Sequence, residues 1–264
     1  MKLLTINIRC DEPGIQERLD ELGKVVKSKR PEFIAIQDIT VDVGRKVQAA
    51  PWAQRYHFLM PPARYDTRNK PSVALLSAYP SQESKSLQYE GAKPTEVLLR
   101  SYYVMFDKSR QPHVVTIVTT HMENEPEDTM IREKQLNEAM GMLDDHEDVW
   151  LLGDFNIMRD IDGPLSLGGE WKDGWLESGS SCEDGDTFVP SKNPLIKNKG
   201  LPSARPDRIF YKSRRYCFES MELVGSDPVI SSHFGVLLTL YQQEGNLADA
   251  MATPGVICAF NRPT

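Results

Sequence analysis

The sequence predicts an α/β fold of four layers: two mixed β-sheets packed face to face, with helices flanking their outer faces. Three features predict it. Residues 2–37 read as strand, helix, strand, a pattern that builds a crossover and a parallel pair. Residues 72–122 are a succession of apolar, strand-like runs, and the same texture returns over 207–241. Between them, a second helical segment leads into another apolar run, so helices and strands can pack as layers on one core.

The elements follow in order. KLLTINI (2–8) is a strand, broken by Asp11, Glu12, Pro13 and Gly14. Ile15, Leu19, Leu22 and Val26 recur at helical spacing with Glu and Lys between them, an amphipathic helix to about Lys29 that Pro31 ends. FIAIQ (33–37) is a buried strand; SVALLSAY (72–79), TEVLLRSYYVMF (95–106) and HVVTIVTTHM (113–122) are three more. Ile131, Leu136, Met140 and Leu143 restore helical spacing over Thr129 to Leu143. VWLLGDF (149–155) follows, then a polar stretch rich in Gly, Pro and Ser over 161–204, then the strands DRIFYKS (207–213), SMELVG (220–225) and FGVLLTLY (234–241). The 161–204 stretch is long for a loop, and long loops in compact domains are often functional. No repeat or linker divides the chain. Residues 1–241 are expected to form a single domain, with 242–264 a weakly patterned tail whose VICAF piece docks as a short strand or stays loose.

Composition narrows the function. The 264 residues are 40% hydrophobic, ordinary for a globular protein, and no apolar run approaches the length of a membrane span. The opening MKLLTINIRCDEP is interrupted too early by Asn7 and Arg9 to read as a signal peptide. Cys10, Cys182, Cys217 and Cys258 form no CxxC, so neither a disulfide framework nor a zinc site is expected. An intracellular setting, nuclear or cytoplasmic, follows by default. A net charge of −7 argues against coating long stretches of nucleic acid, but not against gripping a few phosphates or having carboxylates neutralised by bound metal.

The apolar run VWLL (149–152) stops at Gly153 and presents Asp154 and Asn156, one on each side of Phe155. In a strand, alternate residues share a face, so the two would emerge side by side, able to hold a water and a phosphate oxygen. Gly-Asp-x-Asn is also good turn chemistry. Other strands have the same habit. Asn7 lies near the end of the first, Gln37 and Asp38 close the second, and His121, Glu123 and Asn124 follow IVTT. Asp207 and Arg208 open RIF, and Ser231, Ser232 and His233 precede FGVLL.

This set suits metal-assisted phosphoester hydrolysis. Mg²⁺ wants hard oxygen ligands, few of them from protein, and Asp38 is the obvious one. Asn7 can hold a metal-bound water or a phosphate oxygen without adding charge. Asp154 can aim a water and accept its proton, while His121, His233 and Asn156 can donate to the phosphoryl oxygens. Each also has an ordinary reading: a backbone-bonded strand Asn, a turn Asp, a core or surface His, a surface Asp207–Arg208 ion pair.

The order of motifs TIN (5–7), QD (37–38), TTHMEN (119–124), GDFN (153–156), RPDRIF (205–210) and SSHFG (231–235) resembles the endonuclease/exonuclease/phosphatase superfamily. Within it, THME, the helix REKQLNEAM, ESMELVG and HFGVLLTL resemble segments of the tyrosyl-DNA phosphodiesterase 2 branch, and GDTF (185–188) sits where that branch has a Thr-Trp pair. The resemblance implies cleavage of the bond between a trapped topoisomerase tyrosine and a DNA 5′ phosphate, using Mg²⁺ with Mn²⁺ as a substitute. Its partners would be DNA 5′ ends bearing tyrosyl adducts, single-stranded near the end, with no membrane and a monomeric enzyme. It places Asp38 on the metal with Asn7 beside it, Asp154 on the water, Asn156, His121 and His233 on the phosphate, and Asp207 behind them.

Three departures from the pattern stand out. Asp38 replaces a Glu and is one methylene shorter, about 1.5 Å less reach, so an intervening water or a shifted strand is expected. Ser232 replaces the Asp of S-D-H, which should lower the pKa of His233 relative to the family and loosen its aim. The family's Arg after GDxN is out of register, leaving Arg159 as the candidate, and Asn124 takes the place of a Ser. Trp171, Trp175 and Phe188 are candidates to wall the DNA end, by stacking on bases or by packing the loop. Arg64, Arg68, Lys70 and Arg100 are candidates to grip phosphates. Abasic-site endonuclease, RNA deadenylase and phosphoinositide phosphatase activities are rival substrates, and a non-catalytic DNA-end or protein-binding homologue is a rival of another class.

Overall fold

The computed structural model describes residues 1–62, 70–93, 96–158, 162–163, 165 and 167–243. Strand β1 (Lys2–Asn7), helix α1 (Ile15–Lys29) and strand β2 (Phe33–Ile39) make the expected crossover, and β1 and β2 are parallel. Helix α2 (Val41–Ala49) and strands β3 (His57–Leu59), β4 (Ser72–Ser77), β5 (Glu83–Gln88), β6 (Val97–Phe106) and β7 (Pro112–His121) follow. Helix α3 (Thr129–Gly141) and strand β8 (Val149–Asp154) complete a second crossover, with β7 and β8 parallel. The rest is β9 (Lys172–Asp173), α4 (Gly174–Glu177), β10 (Asp207–Lys212), β11 (Tyr216–Val224) and β12 (Gly235–Gln242).

The strands form two six-stranded mixed sheets, ordered β11-β12-β1-β2-β4-β3 and β5-β6-β7-β8-β10-β9. Three apolar clusters separate four layers, the predicted architecture. Leu4, Ile6, Ile34 and Ile36 pack outward from the first sheet against Leu19, Leu22 and Val26 of α1 and Val43 and Val47 of α2. Leu3, Phe33, Ile117, Trp150, Leu152, Ile209 and Leu238 fill the space between the sheets. Val118, Leu151 and Phe210 of the second sheet meet Leu136, Ala139 and Met140 of α3 on its outer face. Alternation along each strand assigns the two faces. Gly153 is required by the close approach of β7, because a Cβ there would fall on the Thr120 carbonyl oxygen.

Several elements had no counterpart in the sequence reading. α2 is capped by Thr40, whose hydroxyl accepts from the Val43 N–H. β5 (ESKSLQ) is exposed along almost its whole length and is specified by pairing with β6 rather than by an apolar pattern. β9 and α4 lie within the 161–204 stretch, so that stretch is partly ordered as secondary structure. The tail beyond residue 243, with its VICAF piece, lies outside the described residues. Among the described residues, no helix is long and apolar enough to cross a membrane.

Candidate active site

β1, β2, β7 and β8 run toward the same edge of the sandwich, while β10, antiparallel to β8, starts there. His121, Asp154 and Asp207 are therefore register neighbours across β7, β8 and β10. All three lie on the alternation that, farther along the strands, puts Ile117, Trp150, Leu152 and Ile209 between the sheets. The inter-sheet layer thus turns from apolar to polar toward this edge. Thr5 donates to Gln37 Oε1 at 3.1 Å, and Gln37 Nε2 donates to Thr119 Oγ1 at 2.9 Å, bridging the sheets just beneath the site.

Asp154 is the centre. It is 1% exposed, and its Oδ2 accepts from Asn7 Nδ2 at 2.8 Å. The same oxygen lies 3.8 Å from His121 Nε2 and 3.7 Å from His233 Nδ1. Its Oδ1 accepts from the Asn156 N–H at 2.9 Å. Burial alone would raise its pKa, but the charges of His233 and His121 and the two hydrogen bonds hold it below the ordinary carboxylate value.

His233 corrects one expectation. Its aim does not depend on position 232: Nδ1 bonds Asp207 Oδ2 at 2.8 Å, and the same carboxylate oxygen accepts from Thr187 Oγ1 at 2.5 Å. Burial favours the neutral ring, yet Asp207 and Asp154 overcome it and push the pKa up to about 9. Phe188 bridges to both His233 and Ala204, and its ring lies 5.5 Å from the imidazole. Thr187 and Phe188 are the GDTF pair, and Thr187 is a site residue that the sequence reading did not single out. Ser232 donates its backbone N–H to Glu12 Oε2 at 3.3 Å.

Asp38 sits at a β-bulge, where the pairing of β2 with β4 slips between Gln37 and Ile39. Its backbone is left-handed, with φ of 55°. The bulge removes Asp38 from the strict alternation and returns Ile39 to the helix-facing core with Ile34 and Ile36. Burial raises its pKa, only partly offset by His121 and Arg9. The Nε of Arg9 lies 3.7 Å from Asp38 Oδ2.

Helix α3 fastens two loops beside the site. Arg132 donates to the carbonyls of Glu125 and Pro126 after β7 and pairs with Asp162 at 2.7 Å after β8. Asp162 in turn accepts from the Met158 N–H at 2.7 Å. Gln135 accepts from the Glu123 N–H at 2.9 Å. These are the Arg and Gln of the REKQL segment.

The remaining candidates divide. Asn156 is held in a turn beside Asp154, to whose Oδ1 its N–H donates. Its backbone is left-handed, with φ of 53°, and its amide donates to the Met122 carbonyl at 3.0 Å, so this residue closes the turn. Asn124 is exposed on the loop after β7. Trp175 is buried, its indole N–H donating to the Ser181 carbonyl at 2.8 Å, and packs the loop instead of presenting a face to solvent. Trp171 is likewise buried, in the outer core of the second sheet. Arg100 lies over the Tyr102 ring in the middle of β6, away from the strand ends. Lys70 is exposed. Arg64, Arg68 and Arg159 lie outside the described residues.

Two donor sets could serve a cation. Asp154, Asp207 and His233 offer atoms all within 4.8 Å of one another. The 2.8 Å bond between Asp207 and His233 Nδ1 places a proton in that space, so this set reads better as a charged hydrogen-bond pair. Asp38, a buried carboxylate, and Asn7 on the neighbouring strand offer hard oxygens at the strand edge beside the Asp154 carboxylate. That set fits Mg²⁺ or Mn²⁺, which take one or two carboxylates and leave other positions to water and substrate.

No family model matches the sequence, and no curated protein matches it. Solved structures do. TDP2 of D. rerio, complexed with single strand DNA product, is 19% identical with a TM-score of 0.80, covering 91% of this chain and 98% of that one. TDP2 from C. elegans is 16% identical with a TM-score of 0.74, covering 91% of this chain and 74% of that one. An endonuclease/exonuclease/phosphatase from Bacteroides vulgatus is 16% identical with a TM-score of 0.69, covering 92% and 98%. The chain therefore has the endonuclease/exonuclease/phosphatase fold, in a form similar to that of the TDP2 structures.

Proposed function

We propose that this protein is a divalent-metal-dependent phosphodiesterase that hydrolyses the 5′-phosphotyrosyl bond between DNA and a trapped topoisomerase tyrosine, acting as a monomer on ends that are single-stranded near the break. The observation that carries the reading is one carboxylate oxygen, Asp154 Oδ2, gathered with Asn7, His121 and His233 at a single strand edge. The choice of substrate is supported by the likeness to TDP2, one structure of which is complexed with single strand DNA product.

Mg²⁺ or Mn²⁺ would be held by Asp38 and Asn7 and, when bound, supplies Lewis-acid polarisation of the phosphoryl group. The chain's own groups do the rest. Asp154, kept ionised by its neighbours, aims a water at phosphorus and takes its proton as the new P–O bond forms and the bond to the tyrosine oxygen breaks. His233 is kept protonated by Asp207. With Nδ1 committed to that carboxylate, Nε2 is left to donate to a phosphoryl oxygen as charge builds there. Phe188 packs on the imidazole and restricts its rotation. His121, on the other side of Asp154, is a second donor.

Hydrolysis of a 5′-phosphotyrosyl oligonucleotide with and without Mg²⁺, beside Asp154→Asn, tests the reading. Metal-dependent release of a 5′-phosphate is expected, and Asp154→Asn should lose at least ~10²-fold in rate, since it removes the group that positions and deprotonates the water. Abasic duplex, poly(A) and inositol phosphates run in parallel. Selective cleavage of any of these overturns the substrate, and DNA-end binding without metal binding or turnover would identify a non-catalytic homologue.

A further inference from the structure

Arg9 stands two residues beyond β1 and is not used by the chemistry above. Its backbone is pinned. With φ of 45°, its N–H donates to Asn7 Oδ1 at 2.9 Å and its carbonyl accepts from Arg18 at 3.0 Å. Arg18, 5% exposed, also donates to the carbonyls of Ile8, Glu12, Pro13 and Ile230, tying the β1–α1 loop to the segment before His233.

The Arg9 side chain behaves differently. Its Nε lies 3.7 Å from Asp38 Oδ2 and 3.6 Å from Asp11 Oδ1, yet it is buried and makes no hydrogen bond among the described residues. An arginine recruited for a structural pair normally forms short, forked bonds to its carboxylate. Here the guanidinium supplies charge to a buried carboxylate without a hydrogen bond to it, while the side chain as a whole is 40% exposed. The charge of Arg9 also bears on His233, so it is felt on both flanks of the site.

We propose that Arg9 is a resident counter-ion of the Asp38 side, displaced when a divalent cation arrives and then free to bind a phosphate of the DNA end. This rests on the metal-dependent phosphodiesterase reading. Asp38 is only 8% exposed, and a buried carboxylate is costly unless a cation stands nearby, a place that Arg9 fills at 3.7 Å. A guanidinium and a dication cannot share that space without strong repulsion. The exposed position gives the displaced fork an outward path to phosphate, which it recognises in a planar, bidentate way that lysine cannot.

The test is Mn²⁺ binding to metal-free wild type, Arg9→Gln and Arg9→Lys by isothermal titration and electron paramagnetic resonance, followed by binding of a 5′-phosphorylated oligonucleotide with metal present. Arg9→Gln should bind Mn²⁺ roughly 3- to 10-fold more tightly, because a local repulsion is gone, and the oligonucleotide about 10-fold more weakly. Arg9→Lys keeps the charge and should stay near wild type for Mn²⁺. Unchanged or weaker Mn²⁺ binding by Arg9→Gln, tightening in Arg9→Lys equal to that of Arg9→Gln, or undiminished oligonucleotide binding by Arg9→Gln overturns the inference while leaving the proposed function standing. Failure of wild type to bind Mn²⁺ removes the proposed function and this inference with it.

Discussion

The two crossovers, β1–α1–β2 and β7–α3–β8, have the same architecture and deliver polar groups to the same edge, but they hold them by different means. The second sheet's end is knitted together. Asp154 has both oxygens bonded, and Asp207 is shared by His233 and Thr187. The first sheet's end is held by backbone: Arg9 and Asp38 are both left-handed, a bulge displaces Asp38, and the ion pair between them is long. Side chains meant to move protons need fixed aim, whereas a carboxylate meant to take a cation must leave its lone pairs available. The difference between the halves matches that division of labour.

The strongest way to break the comparison is to neutralise each half's carboxylate in turn and measure stability. The pKa of Asp154 is depressed, so its ionised form stabilises the fold above the unfolded carboxylate value, and that contribution is lost as pH falls through the folded one. Asp154→Asn should lower stability at neutral pH by about 1–3 kcal/mol in urea unfolding. The pKa of Asp38 is raised, so its ionised form costs stability at neutral pH, a cost that fades as pH falls below the folded value. Asp38→Asn should leave stability unchanged or higher while abolishing Mn²⁺ binding. Equal destabilisation by both would dissolve the distinction.

Next in size is Asp207→Asn. The folded pKa of His233 is raised to about 9, so its stabilising charge is fully present below the unfolded value near 6.5 and is lost as pH rises through the folded one. kcat/KM of the wild type should fall above about pH 9. Asp207→Asn should bring that limb down toward neutral pH and cost roughly 10-fold or more at pH 8. An alkaline limb that stays in place would detach His233 from Asp207 in function. The smallest effect is expected from Thr187→Val, which removes one hydrogen bond to Asp207 and should cost about 1 kcal/mol of stability and a few-fold in rate.

Much of this was legible in the residues. KLLTIN, FIAIQ and VWLLGD carry enough apolar character to declare themselves strands, and their polar ends stand out because an apolar run rarely stops on Asn or Asp without cause. What was illegible depends on register. Asp207, placed beside Asp154 by the pairing of β10 with β8, meets His233 across 26 residues of chain, a contact that no local pattern reveals, and so position 232 alone could not show what aims the histidine. The bulge at Asp38 is likewise a matter of how β2 meets β4. Asn156 fitted two readings, and its left-handed backbone and the bond from its amide nitrogen to Met122 are the turn that the motif GDFN also allowed. β5 was missed because ESKSLQ buries almost nothing.

Arg132 clasps the segment after β7 and the segment after β8 with one buried guanidinium. Two rims that share a fastener cannot be remodelled independently, since loosening one slackens the other. The opposite rim, where the GDTF segment meets Asp207 and His233, is held by contacts of its own and can vary without disturbing that clasp.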